Sequence, residues 1–172
     1  YLTMVRTGDK GSSGISCLII EKESEGLSFG KLENKMGWNS QPTAQVIFEN
    51  CKVPIKNLVG NEGDGFKIAM QGLDGGRVNI ASCSLGAARE CLKKSLNYVT
   101  ERKQFDKKLS DFQSIQFKLA DMSTHLEAAR LMVLKAASEL DNHGQDTTKS
   151  CAMAKRFATD IGFEICNQAL QL

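Results

Sequence analysis

The sequence predicts an α-and-β chain with two unlike halves: short strands and turns over residues 1–62, then an antiparallel, up-and-down bundle of three long helices over residues 63–172. Three observations carry this reading. Both prolines, Pro42 and Pro54, fall in the first half, among short apolar runs broken by glycine and small polar residues, the punctuation of strands and turns. No proline follows Gly65, so nothing forbids a long helix there. Beyond that point apolar residues recur at spacings of three and four, the period of a helix with one buried face.

Strands are expected at residues 1–6, 15–21, 27–32 and 43–48. Thr7-Gly8-Asp9-Lys10-Gly11 and Ser24-Glu25-Gly26 supply the reversals between them, since glycine and short polar side chains tolerate the backbone angles that turns need. Four strands are too few to close a barrel, so this half is expected to complete its sheet with residues upstream of Tyr1. The first helix is expected over about 65–102, with a weak point at Gly75-Gly76, because each interior glycine costs roughly 1 kcal/mol relative to alanine. The second, over about 112–142, places Ile115, Leu119, Met122, Leu126 and Ala129 on one stripe and ends at Asn142-His143-Gly144. The third, over about 147–172, repeats the pattern with Met153, Phe157, Ile161, Ile165 and Ala169, capped by Asp146 or Thr147. Its last residues are still in mid-pattern, so the chain is expected to be cut there.

Composition narrows the function classes. The 172 residues are enough for one core or two small domains, and 41% hydrophobic with 24% charged residues is ordinary for a globular protein. Twenty-two Lys and Arg against 20 Asp and Glu leave +2, with no basic run longer than pairs such as Arg102-Lys103, which argues against a nucleic-acid partner. Six cysteines without a C-x-x-C pair, and two histidines, suggest neither a zinc site nor a disulfide framework. The cysteines read as small apolar core residues kept reduced in an intracellular compartment. His125 and His143 read as surface or structural residues. No run approaches the roughly 20 apolar residues of a membrane span.

Two clusters stand out for chemistry. In Asp74-Gly75-Gly76-Arg77, bare backbone lies between an acid and a guanidinium on one helical turn. Such a turn suits a planar or phosphorylated ligand, with Arg77 donating; it equally suits an ordinary i, i+3 ion pair. Arg102, Gln104 and Phe105 end the first helix, and Phe112 and Gln113 begin the second. Cations there can hold a phosphate and aromatics can flank a ring; basic residues at a helix C-terminus are also common simply because they meet the negative end of the dipole.

Residues 35–43 (KMGWNSQPT), 48–54 (FENCKVP), 60–66 (GNEGDGF), Gly76-Arg77, 102–105 (RKQF) with Gln113, Gln116-Phe117 and 119–122 (LADM) occur in the order and spacing of one family. With them the chain resembles the acyl-CoA dehydrogenases, and residues 37–42, 79–88 and 165–170 resemble its short- and branched-chain type. The resemblance implies a mitochondrial-matrix homotetramer binding FAD. Residues 1–62 would be the later part of an antiparallel β-barrel-like middle domain, and residues 63–172 the first three helices of a C-terminal bundle. It implies that Asp74, Gly75, Gly76 and Arg77 line the acyl-CoA site. Arg102, Gln104, Phe105, Phe112 and Gln113 would hold the FAD of a neighbouring subunit, and Thr7 would approach the CoA phosphates. The family's glutamate base stands either late in the C-terminal domain or immediately before the arginine matched by Arg77. That second position is Gly76 here, so no catalytic residue is expected in this chain and the base is expected beyond Leu172, unlike the isovaleryl and long-chain branches. A tryptophan-containing motif that covers the flavin would precede Tyr1. Electrons would pass to electron-transferring flavoprotein. Two other readings remain open: a non-catalytic binding or assembly module, and an acyl-CoA oxidase.

Overall fold

Alternating half-buried and exposed residues draw Leu2–Arg6 (β1) against Ile15–Ile19 (β2), antiparallel, with Leu2 opposite Ile19 and Arg6 opposite Ile15. The computed structural model describes residues 1–172 and divides into two units, Tyr1–Met70 and Gln71–Leu172. In the first unit the sheet order is β1-β2-β5, where β5 (Leu58–Val59) pairs with Cys17 and Leu18. A separate two-stranded ribbon joins β3 (Leu27–Phe29) to β4 (Val46–Phe48).

Three of the four expected strands are shorter than their apolar runs. The second stretch ends at Ile19 where residue 21 was expected, the third ends at Phe29 where 32 was expected, and the fourth begins at Val46 where 43 was expected. Beyond Phe29 the chain still bonds across, Gly30 N to Gln45 O at 2.9 Å and Glu33 N to Thr43 O at 2.8 Å, but without a regular ladder. The excursion between those bonds contains Pro42, which has no N–H to donate. β5 is an unexpected fifth strand; two residues are too few to show any period.

Buried Ser16 ties this unit together. Its Oγ accepts from Gly63 N at 2.9 Å and lies 2.6 Å from Thr7 Oγ1. A Cβ at Gly65 would stand 2.5 Å from the Ser16 carbonyl carbon, so only glycine lets the long helix start against β2.

That helix, α1, runs unbroken over Gly65–Glu101, through the expected weak point at Gly75-Gly76. A hairpin of β6 (Lys103–Gln104) and β7 (Lys107–Lys108) leads to α2 (Gln113–Asp141), and α3 is Thr147–Ala169. In the second unit Ala81, Ala129, Val133, Ala136, Cys151, Ala154 and Ala158 form one buried cluster, and Ala88, Leu92, Met122 and Ile165 another. The residues are small because the helices pass closely: a Cβ at Gly162 would stand 3.1 Å from the Ser84 Cβ.

This widens the α3 face beyond the expected stripe, of which Ile165 is buried and Ala169 packs against the core. Met153 is 51% exposed, Phe157 and Ile161 sit at the margins, and Cys151, Ala154, Ala158 and Gly162 face inward. The expected cap is also absent: Asp146 makes no side-chain cap bond, and the Thr147 hydroxyl donates instead to Glu139 O and Gly144 O at the end of α2. Of the six cysteines expected in the core only Cys17 and Cys151 are buried; Cys83 is exposed and Cys51, Cys91 and Cys166 are half-buried. No helix is long and apolar enough to cross a membrane.

Candidate functional site

On the Asp74 turn of α1 one carboxylate serves two elements. Asp74, 8% exposed, accepts from Arg77 Nη1 at 2.5 Å through Oδ1 and from Thr148 Oγ1 of α3 at 2.7 Å through Oδ2. With both oxygens bonded the buried charge is paired and hydrogen-bonded, as burial requires, and the half-buried guanidinium is held in one orientation with further N–H groups unspent. Cys151, one turn along α3 from Thr148, carries a thiol whose pKa is pushed up by burial and then by the Asp74 carboxylate. No local signal in the sequence marks Thr148 as part of this turn: it lies 74 positions from its partner.

Gly75 and Gly76 have no packing role within the chain. A Cβ at Gly75 would reach only Leu140 Cδ2, at 4.0 Å, and at Gly76 it would meet nothing within 4 Å. Two interior helix glycines that no neighbour requires cost roughly 1 kcal/mol each relative to alanine. What they provide is bare helix backbone directly beside an oriented guanidinium.

The second cluster lies at the hairpin. Arg102 N bonds Tyr98 O at 2.9 Å, closing α1, and Leu109 N returns to Arg102 O at 2.9 Å. Phe105 and Asp106 form the turn with φ of 55° and 60°, the pair of positive angles for which Asn-Gly is favoured. Phe105 is nonetheless 86% exposed, so backbone strain presents an aromatic ring to solvent, an arrangement that suggests function. Asp111 Oδ2 accepts from Lys108 N at 3.1 Å and Gln116 Nε2 donates to Ser110 O at 2.8 Å, fixing the approach to α2. Arg102, Gln104 and Gln113 are exposed and Phe112 is half-buried. Arg102 has no carboxylate within salt-bridge distance. A free guanidinium, two aromatics and two amides suit the pyrophosphate and ring edges of a dinucleotide.

The two clusters are not brought together. Arg77 and Arg102 are 25 residues apart along and just past one helix, about 37 Å at 1.5 Å per residue. Thr7 is exposed in the turn after β1, its hydroxyl against Ser16. His125 is half-buried and His143 exposed with φ of 51° at the end of α2.

The family model for the acyl-CoA dehydrogenase C-terminal domain matches residues 63–172. The chain belongs to the acyl-CoA dehydrogenase family. It is 55% identical to the mitochondrial isobutyryl-CoA dehydrogenase of Bos taurus over 172 residues, covering all of this chain and 41% of the relative. It is 47% identical to caffeyl-CoA reductase-Etf complex subunit CarC of Acetobacterium woodii, over 95% of this chain and 43% of that protein. Among solved structures, butyryl-CoA dehydrogenase from Megasphaera elsdenii superposes with a TM-score of 0.94 at 42% identity, covering 99% of this chain and 45% of that one. The chain thus spans less than half the length of these acyl-CoA dehydrogenase relatives, and its three helices and small antiparallel sheets follow the corresponding part of their fold.

Proposed function

We propose that the chain carries substrate-positioning and cofactor-holding residues of a flavin-dependent acyl-CoA dehydrogenase that acts on a short branched acyl-CoA, isobutyryl-CoA, in valine catabolism in the mitochondrial matrix. The substrate and compartment are those named for the Bos taurus relative. In this reading residues 1–62 belong to an antiparallel β-barrel-like middle domain and residues 63–172 are the first three helices of a C-terminal bundle.

One observation carries the reading: Gly75 and Gly76 leave helix backbone open beside an arginine that Asp74 and Thr148 hold in place. The thioester approaches that turn, Arg77 donates to its polar groups, and Asp74 keeps the guanidinium from swinging away. Removal of the α-proton requires a positioned base, and Gly76 supplies none. The base is therefore assigned to a glutamate outside these 172 residues. Bound FAD would supply the acceptor for the β-hydride, and electrons would then pass to electron-transferring flavoprotein, a partner in keeping with the Etf complex named for the Acetobacterium relative.

Arg102, Gln104, Phe105, Phe112 and Gln113 hold FAD in this proposal. Their distance of about 37 Å from Arg77 along the axis of α1 is longer than an extended dinucleotide, so the FAD they hold serves the acyl-CoA site of another subunit. A homotetramer is the assembly proposed.

The test is an assay of the full-length protein for flavin absorbance and isobutyryl-CoA-dependent dye reduction, beside the same assay of the 172-residue chain with added FAD. Turnover by the longer protein alone is expected. A colourless, inactive full-length protein would mean a binding or assembly module instead, and equal turnover with oxygen as sole acceptor would mean an oxidase.

A further inference from the structure

Cys91 on α1 and Cys166 on α3 are 75 residues apart in sequence, yet the fold brings them to one place on the bundle. Both line one surface cavity of about 390 Å³, with Lys94, Tyr98 and Leu170 on its wall, and both are half-buried rather than sealed. Their helices are fixed next to each other by neighbouring contacts: Ser84 against Gly162 on one side, and Ala88, Leu92 and Ile165 in a shared buried cluster.

We propose that Cys91 and Cys166 are a redox-active dithiol that closes to a disulfide linking α1 to α3 when the protein meets hydrogen peroxide through this cavity. The inference is independent of the acyl-CoA reading and uses none of its residues.

Burial, and then Cys91 beside it, push the Cys166 thiol up to about 11, so Cys166 stays protonated near neutral pH. The Cys91 sulfur attacks one peroxide oxygen: an S–O bond forms, the O–O bond breaks, and the departing oxygen leaves as water with the Cys91 proton. The Cys166 sulfur then attacks Cys91 Sγ: the S–S bond forms, the S–O bond breaks, and the hydroxyl leaves as water with the Cys166 proton. Two thiols give up two electrons and two protons, and one peroxide becomes two waters.

The test uses the full-length protein under native conditions. After peroxide treatment, denaturation and thiol titration, two of the six thiols of this region are expected to be lost. Non-reducing peptide mapping is expected to show a Cys91–Cys166 cross-link that dithiothreitol reverses and that is absent from both Cys91→Ser and Cys166→Ser. Because a serine variant can fail to fold, a second measurement uses the unaltered protein: phenylarsine oxide, which requires two adjacent thiols, is expected to bind once per chain and to block the cross-link. The proposal is overturned if peroxide oxidises exposed Cys83 while the pair stays reduced, or if phenylarsine oxide does not bind.

Discussion

Gly76 sets a local conflict between stability and access. Its missing Cβ would meet nothing in the chain, so Gly76→Ala is expected to stabilise α1 by about 0.5–1 kcal/mol, through propensity and reduced unfolded-state entropy. The added methyl would stand where the proposed thioester approaches, so acyl-CoA turnover by the full-length protein should fall at least about tenfold, the equivalent of roughly 1.4 kcal/mol. Denaturant unfolding and steady-state kinetics on the same variant separate the two effects; unchanged turnover would remove Gly76 from the site. Cys166 offers a pH test at the same scale. Its pKa is raised from 9.0 to about 11 in the folded protein, by burial first and then by Cys91. The folded state holds this proton more tightly than the unfolded chain, so its contribution to stability is full below about pH 9 and disappears as pH rises to about 11. Melting temperature should fall across that window, and less steeply in Cys166→Ser; parallel curves would contradict the shift.

Among the elements, the hairpin β6–β7 most clearly accepts strain. Replacing its turn with the favoured pair, Phe105→Asn with Asp106→Gly, is expected to stabilise the chain by about 1–2 kcal/mol by relieving two positive φ angles. The same change removes an aromatic ring that is 86% exposed, so FAD affinity of the full-length protein should weaken severalfold. Flavin retention on gel filtration and a fluorescence titration read this directly, and a double variant that loses neither affinity nor flavin would make the turn merely structural. The same element shows where sequence reading stops. The long helices were legible to within three residues at each end, since a period repeated over 20 or more residues outweighs local exceptions. β5 and the hairpin strands have two residues each and show no period, and Phe-Asp carries no turn signal. On the inward face of α3 Ile165, Phe157, Ile161 and Ala169 stand in or against the core as expected, and only Met153 was misplaced, because close helix approach selects Cys151, Ala154, Ala158 and Gly162 by smallness. In the site, the Asp74–Arg77 pair was legible as an i, i+3 spacing; Thr148 was not, since only the fold brings α3 to it.

For the whole molecule, the surface is too large for its mass. The chain exposes 12260 Å² at 18.8 kDa. Two separately compact units of these lengths would expose roughly 10,000 Å². The excess includes apolar side chains: Phe117 is 61% exposed, Phe163 76%, Leu170 83% and Ile55 83%, while Cys17 and Ile20 are the only buried hydrophobic residues of Tyr1–Met70. Two fully buried hydrophobic side chains are a small core for a unit whose other apolar contacts are only half-buried. Such a unit depends on covering surface from elsewhere, whether another segment or another subunit. Expressed as these 172 residues alone, the chain is expected to self-associate, giving concentration-dependent sedimentation and strong dye binding to exposed apolar surface. The full-length protein should sediment as a defined tetramer without that dye signal. A 172-residue chain that stays monomeric, melts cooperatively and binds no dye would show that its exposed apolar side chains need no partner, and the case for a cofactor site shared between subunits would lose its structural support.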